Sequence, residues 1–198
     1  MSIILVKGQK ITLEHDEKNE KAAKPLNEIS IGIAWAAQDS SKTFDIDASA
    51  LLLNGDGKIA AKEDLVYYNA KKHPSGALWS MRDFSGDRPA AEELLIAKLQ
   101  ALPDRYQRIG FFATIYQAKE RRQHFGLLKN LFIHILDNET NKELLKYPLL
   151  DSYAQSKALY FGELYRKSGN DQTTWKFNAI GSGLSTGSIT EIVDTFRQ

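Results

Sequence analysis

Cysteine is absent from the 198 residues, which excludes disulfides, zinc thiolate sites and thiol catalysis, and agrees with a protein that is not exported. An excess of either charge is lacking too. Lys and Arg number 26 against 25 Asp and Glu, a net charge of +1, and the two signs are mixed along the chain. That balance gives no electrostatic reason to expect a nucleic-acid partner. Long apolar runs are missing as well. The apolar runs present are short, such as residues 50–53, against the roughly 20 apolar residues that a membrane-spanning helix needs, so no membrane span is expected. The opening apolar stretch meets Lys7-Gly8-Gln9-Lys10 at once, too early for a signal peptide, and a cytoplasmic location is expected. At this length, with 42% hydrophobic and 26% charged residues, the chain reads as one globular domain over residues 1–198.

What the chain does contain is short, alternating apolar sequence. Ile29, Ile31, Ile33 and Trp35 share one side of a period-two pattern, with Ser30, Gly32 and Ala34 opposite, the mark of a half-buried strand. Phe44-Asp45-Ile46-Asp47-Ala48 alternates likewise and runs on into apolar residues 50–53. Asn54-Gly55-Asp56-Gly57 then reads as a tight hairpin turn into Lys58-Ile59. Further strands are expected over residues 65–68 and 77–79, joined by the turn His73-Pro74-Ser75-Gly76, and over 157–166 and 174–180 around a turn at 168–171. The strongest β segments are 108–116 and 130–136, rich in β-branched and aromatic residues. Charged residues 119–124 predict a short helix, and residues 14–25 an exposed loop. Ile189, Ile192, Val193 and Phe196 recur at helical spacing and predict one amphipathic terminal helix. Together these predict an all-β fold, a two-layer β-sandwich with short helices, one near the C-terminus. Its core is expected from residues 29–35, 50–53, 109–116 and 131–136. Tyr67, Tyr68, Trp79, Phe111, Phe112, Tyr116, Tyr160, Phe161 and Trp175 lie on these strands and read as packing residues rather than a ligand platform.

Several of these segments, in order, resemble the TerD family. Leu5-Val6-Lys7-Gly8-Gln9-Lys10-Ile11 looks like its opening strand. Ile31-Gly32-Ile33-Ala34-Trp35 is similar to its Gly-Leu-Gly-Trp strand, with Ala34 where glycine is usual. Phe44-Asp45-Ile46-Asp47-Ala48 resembles its Phe-Asp-Leu-Asp-Ala run, and Asp64-Leu65-Val66-Tyr67-Tyr68-Asn69 its Phe-Val-Phe-Tyr-Asn segment. Phe161-Gly162-Glu163-Leu164-Tyr165-Arg166 and Trp175-Lys176-Phe177-Asn178-Ala179-Ile180-Gly181 also fit. The resemblance covers nearly the whole chain. It implies a calcium-binding β-sandwich associated with resistance to tellurite and other stresses, a binding protein with protein partners still to be identified and not an enzyme.

The residues can be weighed for a metal on their own chemistry. Asp45 and Asp47, two apart on an expected strand, place two carboxylates on one face, and calcium takes six to eight hard oxygen ligands. Asn69 could add an amide oxygen, Asp83 a carboxylate, and Asp87, Glu92 and Glu93 further acidic ligands. The same residue types also serve without a metal, since aspartates at strand starts cap turns and accept backbone N–H bonds. The family's second acidic motif, Gly-Asp-Asn and then Gly-Asp-Asp-Glu beyond a glycine-rich loop, is altered here to Arg82-Asp83-Phe84 and Ala90-Ala91-Glu92-Glu93. Arg82 and Arg88 can supply positive charge beside Asp45 and Asp47 in place of an ion. The expectation is a calcium site weakened or lost; the alternative is a metal-free protein-interaction scaffold of the same family.

Other chemistries fail on spacing. His15, His73, His124 and His134 lie far apart, and His134, between Ile133 and Ile135, reads as an outer-face residue. An EF-hand loop starting at Asn54 would need an acid or amide at its fifth position and glutamate at its twelfth, where Lys58 and Leu65 stand. Neither Lys7-Gly8 nor Gly181-Ser182-Gly183 has phosphate-loop spacing. No nucleophile elbow is present, and the lack of thiols argues against a direct tellurite reductase. A metal-assisted hydrolase using Asp45, Asp47 and Asp83 has no histidine close in sequence to act as base.

Overall fold

The computed structural model describes residues 2–13, 25–82, 91–168 and 173–197. Among these the strands are β1 (Ile3–Ile4), β2 (Lys10–Leu13), β3 (Glu28–Ala37), β4 (Ile46–Leu53), β5 (Leu65–Val66), β6 (Leu78–Arg82), β7 (Ala91–Lys98), β8 (Arg108–Ile115), β9 (Leu128–Asp137), β10 (Lys142–Pro148), β11 (Ala158–Ser168) and β12 (Thr173–Leu184). One α-helix, α1 (Ile189–Asp194), follows. Sheet A has the order β1-β10-β9-β3-β7-β6 and sheet B the order β2-β12-β11-β8-β4-β5. Every pairing is antiparallel except β1 with β10. The fold is therefore the two-layer β-sandwich that the alternation predicts.

The period of two decides which side chains meet between the sheets. Ile29, Ile31, Ile33 and Trp35 of β3 enter one core cluster with Ala48, Ala50 and Leu52 of β4, Ile109, Phe111 and Ala113 of β8, and Leu131, Ile133 and Ile135 of β9. The opposite faces differ in how they are closed. On sheet B, Leu51, Leu53, Phe112 and Ala158 form a second apolar cluster with Ile192 and Val193 of α1. That helix is the terminal amphipathic helix read from the sequence, started by Ser188, whose hydroxyl accepts from the Glu191 N–H at 3.3 Å. On sheet A, His134 lies on the outer face as expected, edge-on to Phe132 at 5.9 Å between centroids.

Three expectations need correction or extension. The helix expected over residues 119–124 is absent; the segment is a run of turns, because Gln117 and Arg122 take left-handed backbone at φ 50 and 51, which no α-helix accommodates. The turn at residues 54–57 forms, with the Asn54 side chain accepting from the Asp56 and Lys58 N–H groups at 3.0 and 2.9 Å. Its expected return strand does not, since Ile59 N–H donates instead to the Phe196 carbonyl at 2.9 Å and joins the C-terminal layer. Strands β7 and β10 went unread because their sequences, AEELLIAK and KELLKYP, mix charged helix-formers with adjacent leucines and show no clean alternation. The loop expected at residues 14–25 and the turn at 168–171 lie largely outside the described residues.

Gly162 reports on how tightly β11 and β12 are packed. It sits at the register shift between Tyr160 and Gly162, and a Cβ there would lie 2.5 Å from Phe177 Cζ and 3.0 Å from the Asn178 carbonyl oxygen. Because Phe177 is fully buried, the ring has no room to withdraw. Gly162→Ala is expected to lower stability by about 1–3 kcal/mol in urea denaturation. The cost should shrink in a Phe177→Leu background; an equal cost in both backgrounds would show that the ring is not what the methyl meets.

Candidate functional site

Two polar regions stand out, one at each end of the side of the sandwich that β5 and β6 close. The first gathers the acidic residues nominated from the sequence. Strand β3 ends at Ala37 and β4 starts at Ile46, while the start of β7 pairs antiparallel with the end of β3, Ala91 against Trp35. The end of β6 lies beside the start of β7, Arg82 against Glu93, and β4 packs against β7 across the sandwich. The topology thus brings the starts of β4 and β7 and the end of β6 to one end.

The nominated residues fall around this end as follows. Asp47 lies in β4 opposite Thr114, and Asp45 just before it, its carbonyl accepting from Tyr116 N–H at 2.8 Å. Asp47 shares its face with Ser49, Leu51 and Leu53, the outer side of sheet B, whereas Glu93 shares its face with Leu95 and Ala97, on the core side of sheet A, and is buried. Asn69 occupies an exposed turn closed by the Tyr67–Ala70 bridge. Glu92 stands in β7 beside Ala34. Asp83, Asp87 and Arg88 lie outside the described residues, and Arg82 is the last residue of β6. Among the described residues no three His, Cys, Asp or Glu come together in a metal-holding group.

The second region was not read from the sequence. Asp64, His73 and Tyr106 are all at least 97% buried and share one hydrogen-bonded network. Tyr106 Oη donates to Asp64 Oδ1 at 2.5 Å and accepts from Arg105 Nη2 at 2.6 Å. Asp64 Oδ2 accepts from the Ala60 and Ala61 N–H groups at 3.2 and 2.9 Å. His73 Nδ1 accepts from the Ser75 N–H at 3.1 Å, which leaves the ring proton on Nε2, 3.2 Å from Tyr106 Oη. The tyrosine hydroxyl therefore gives one bond and receives two. Burial holds the His73 pKa below its ordinary 6.5, with Asp64 opposing the shift. Burial likewise pushes the Tyr106 phenol up, reinforced by its bond to Asp64. Signals in the sequence are slight: His73 reads as a turn residue, Asp64 only opens the segment that runs to Asn69, and Tyr106 belongs to no local motif.

Comparison with known proteins places the chain among its relatives. The TerD domain profile matches residues 1–196. The chain is 35% identical over 190 residues to general stress protein 16U of Bacillus subtilis (strain 168), covering 94% of this chain and 93% of that protein. It is 34% identical over 189 residues to the tellurium resistance protein TerD of Serratia marcescens, again covering 94% and 93%. The fold is similar to the crystal structure of a homologue of telluride resistance protein (TerD) from Streptomyces coelicolor A3(2), with a TM-score of 0.60 at 18% identity over 83% of this chain and 94% of that one.

Removing the Tyr106 hydroxyl would strand a buried carboxylate oxygen and the imidazole N–H together. Tyr106→Phe is expected to cost about 1–3 kcal/mol in chemical denaturation, because both groups lose their partner out of reach of water. Tyr160→Phe is the reference: that hydroxyl donates to the Glu163 carboxylate at 3.1 Å in a part-buried position, and its loss should cost less. Equal costs would mean that the network is no stiffer than an ordinary surface bond.

Proposed function

The chain belongs to the TerD domain family, and from that premise we propose that it is a stress-response binding protein of the tellurium-resistance type, not an enzyme, whose acidic end offers a weakened calcium site. The observation that carries this reading is the convergence of the β4 start, the β7 start and the β6 end, which brings the chain segments bearing Asp45, Asp47, Glu92 and Glu93 to one end of a rigid sandwich. Short acidic segments held by strands suit capture of a cation or a basic partner better than bond-breaking chemistry.

The donor set fits calcium in kind but falls short in number. Asp45 and Asp47 are hard oxygen donors of the sort calcium prefers. Two carboxylates leave most of a six- to eight-oxygen shell to backbone carbonyls and water, and Glu93 faces a different layer from Asp47. A bound calcium would supply only charge and cross-linking between strand ends, and Asp45 and Asp47 are the residues that would hold it. Arg82, the last residue of β6, and Arg88, six positions on in the sequence, stand where the family carries its second acidic motif, and positive charge there would weaken a divalent site.

Titration calorimetry of the chelator-stripped protein tests this directly. The expected dissociation constant is on the order of 10⁻⁴ to 10⁻³ M, the range of weak calcium modules. Asp47→Asn should abolish the heat, and Arg82→Gly should strengthen it. Binding at micromolar or tighter in the wild type would overturn the argument from missing ligands. If neither the wild type nor Arg82→Gly gives heat but Arg82→Gly melts at lower temperature, a guanidinium stands where an ion would, and the metal-free scaffold is the correct member of the pair.

A further inference from the structure

We propose that His73 is a proton-operated latch that holds the strap of residues 70–77 against the edge of sheet A, and that protonation of its ring releases the strap and bares β6. The geometry sets out how. The strap leaves β5, turns at residues 67–70 and runs back beside β6: Ser80 N–H donates to the Lys71 carbonyl at 2.8 Å and His73 N–H to the Leu78 carbonyl at 2.9 Å, with a bridge between Lys72 and Trp79. The strap thus occupies the outer rim of β6, the last strand of sheet A. At its far end the imidazole, buried to 3% exposure and bonded at both nitrogens, closes the turn beside buried Ala77, whose carbonyl accepts from the Lys98 N–H at 2.8 Å.

The Ser75 N–H at Nδ1 favours the neutral ring. Nδ1 accepts the Ser75 N–H and also lies 2.7 Å from Ser75 Oγ, which itself accepts from Ala77 N–H at 3.2 Å. A second ring proton on Nδ1 would face the Ser75 N–H and would have to turn to Ser75 Oγ, so the Ser75 N–H would lose its acceptor and the turn of residues 73–77 one of the bonds that close it. The charged groups facing the ring come from two other segments. Asp64, 3.6 Å from Nε2, and Glu63, both from the turn before β5, favour the imidazolium; Arg105, beside Tyr106, disfavours it. Burial is the largest influence and goes the same way as Arg105, so the neutral form wins in the fold.

The sign of the linkage follows. A histidine held below its free value of 6.5 contributes stability that is complete above pH 6.5 and is lost as pH falls through the lower folded value, because the open form then binds the extra proton. The loss falls first on the strap, because the ring's own contacts are with the turn that ends it and with Tyr106. Release would leave the outer main-chain groups of β6 unpaired, the kind of edge to which another strand can add.

Amide hydrogen exchange reads the strap directly. Protection factors remove the intrinsic pH dependence of exchange, and for residues 71–80 they should drop by about tenfold or more between about pH 7.5 and about pH 5, while those of β8 hold. In His73→Gln, which cannot take up the proton, strap protection should not vary with pH. Strap protection that is constant in the wild type, or that falls equally in His73→Gln, would overturn the proposal. Should the variant not fold, the wild-type ring decides by NMR: a neutral Nε2–H tautomer whose midpoint coincides with strap opening supports the latch. A ring that titrates with no change in the strap amides refutes it.

Discussion

Two sheets of a sandwich share no hydrogen bonds with each other, so their relative placement rests on interdigitated side chains and on the points where the chain crosses between them. In this protein the crossings on one side meet at a single phenolic oxygen. Tyr106 sits in the crossing from β7 to β8, His73 in the crossing from β5 to β6, and Asp64 in the segment entering β5. Each uses its directional bonds on the others, and Asp64 spends its second oxygen on backbone N–H groups of its own turn. From the other flank Arg166, at the far end of β11, donates to the Leu102 carbonyl at 2.6 Å and to Asp104 Oδ1 at 2.8 Å. Residues 102–106 are thus gripped from both sides, and the next residue, Gln107, donates from its backbone to the Leu53 carbonyl at 2.9 Å, setting the start of β8 against the end of β4. Since β8 pairs with both β4 and β11, the register of half of sheet B follows from that grip.

Sheet alternation made the centre of the fold legible and the periphery less so. Strands β3, β4, β8 and β9 announce themselves because one side of each faces the core and carries only apolar residues, a contrast that survives in the sequence as a period of two. In β7 the contrast is erased: Leu94 and Ile96 on one side and Leu95 and Ala97 on the other are all buried. Such a segment resembles a buried helix turn until its partners are known. The segment of residues 119–124 misleads in the opposite direction, since its composition suits a helix while the backbone at Gln117 and Arg122 forbids one. Composition carries no record of which residue takes a left-handed conformation unless that residue is glycine.

The two polar regions were unequally visible for a related reason. Asp45 and Asp47 are two residues apart, and a pair at that spacing can be noticed without knowing the fold. The network residues are 33 and 42 positions apart where they touch, and each in isolation has an ordinary local role. His73 sits in a proline-glycine turn, and Tyr106 stands beside an exposed arginine. Only the crossing of the chain from sheet to sheet makes them neighbours, and that crossing is a property of topology. Polar residues that act through long-range contact are the ones a single sequence hides best.

The N-terminal segment has a consequence for how the molecule is made. Strand β1 completes the edge of sheet A by pairing Ile3 with Leu145, and β2 completes the edge of sheet B by pairing Leu13 with Trp175. Each of these strands is therefore translated well before the strand it pairs with. Until then each is an unpaired stretch, and Ile3, Ile4 and Val6 remain 48%, 69% and 58% exposed even when docked. Closing loops of that size gives a high contact order and slow completion, and it leaves β1 and β2 exposed to chaperones and to other copies of the chain until their partners have formed.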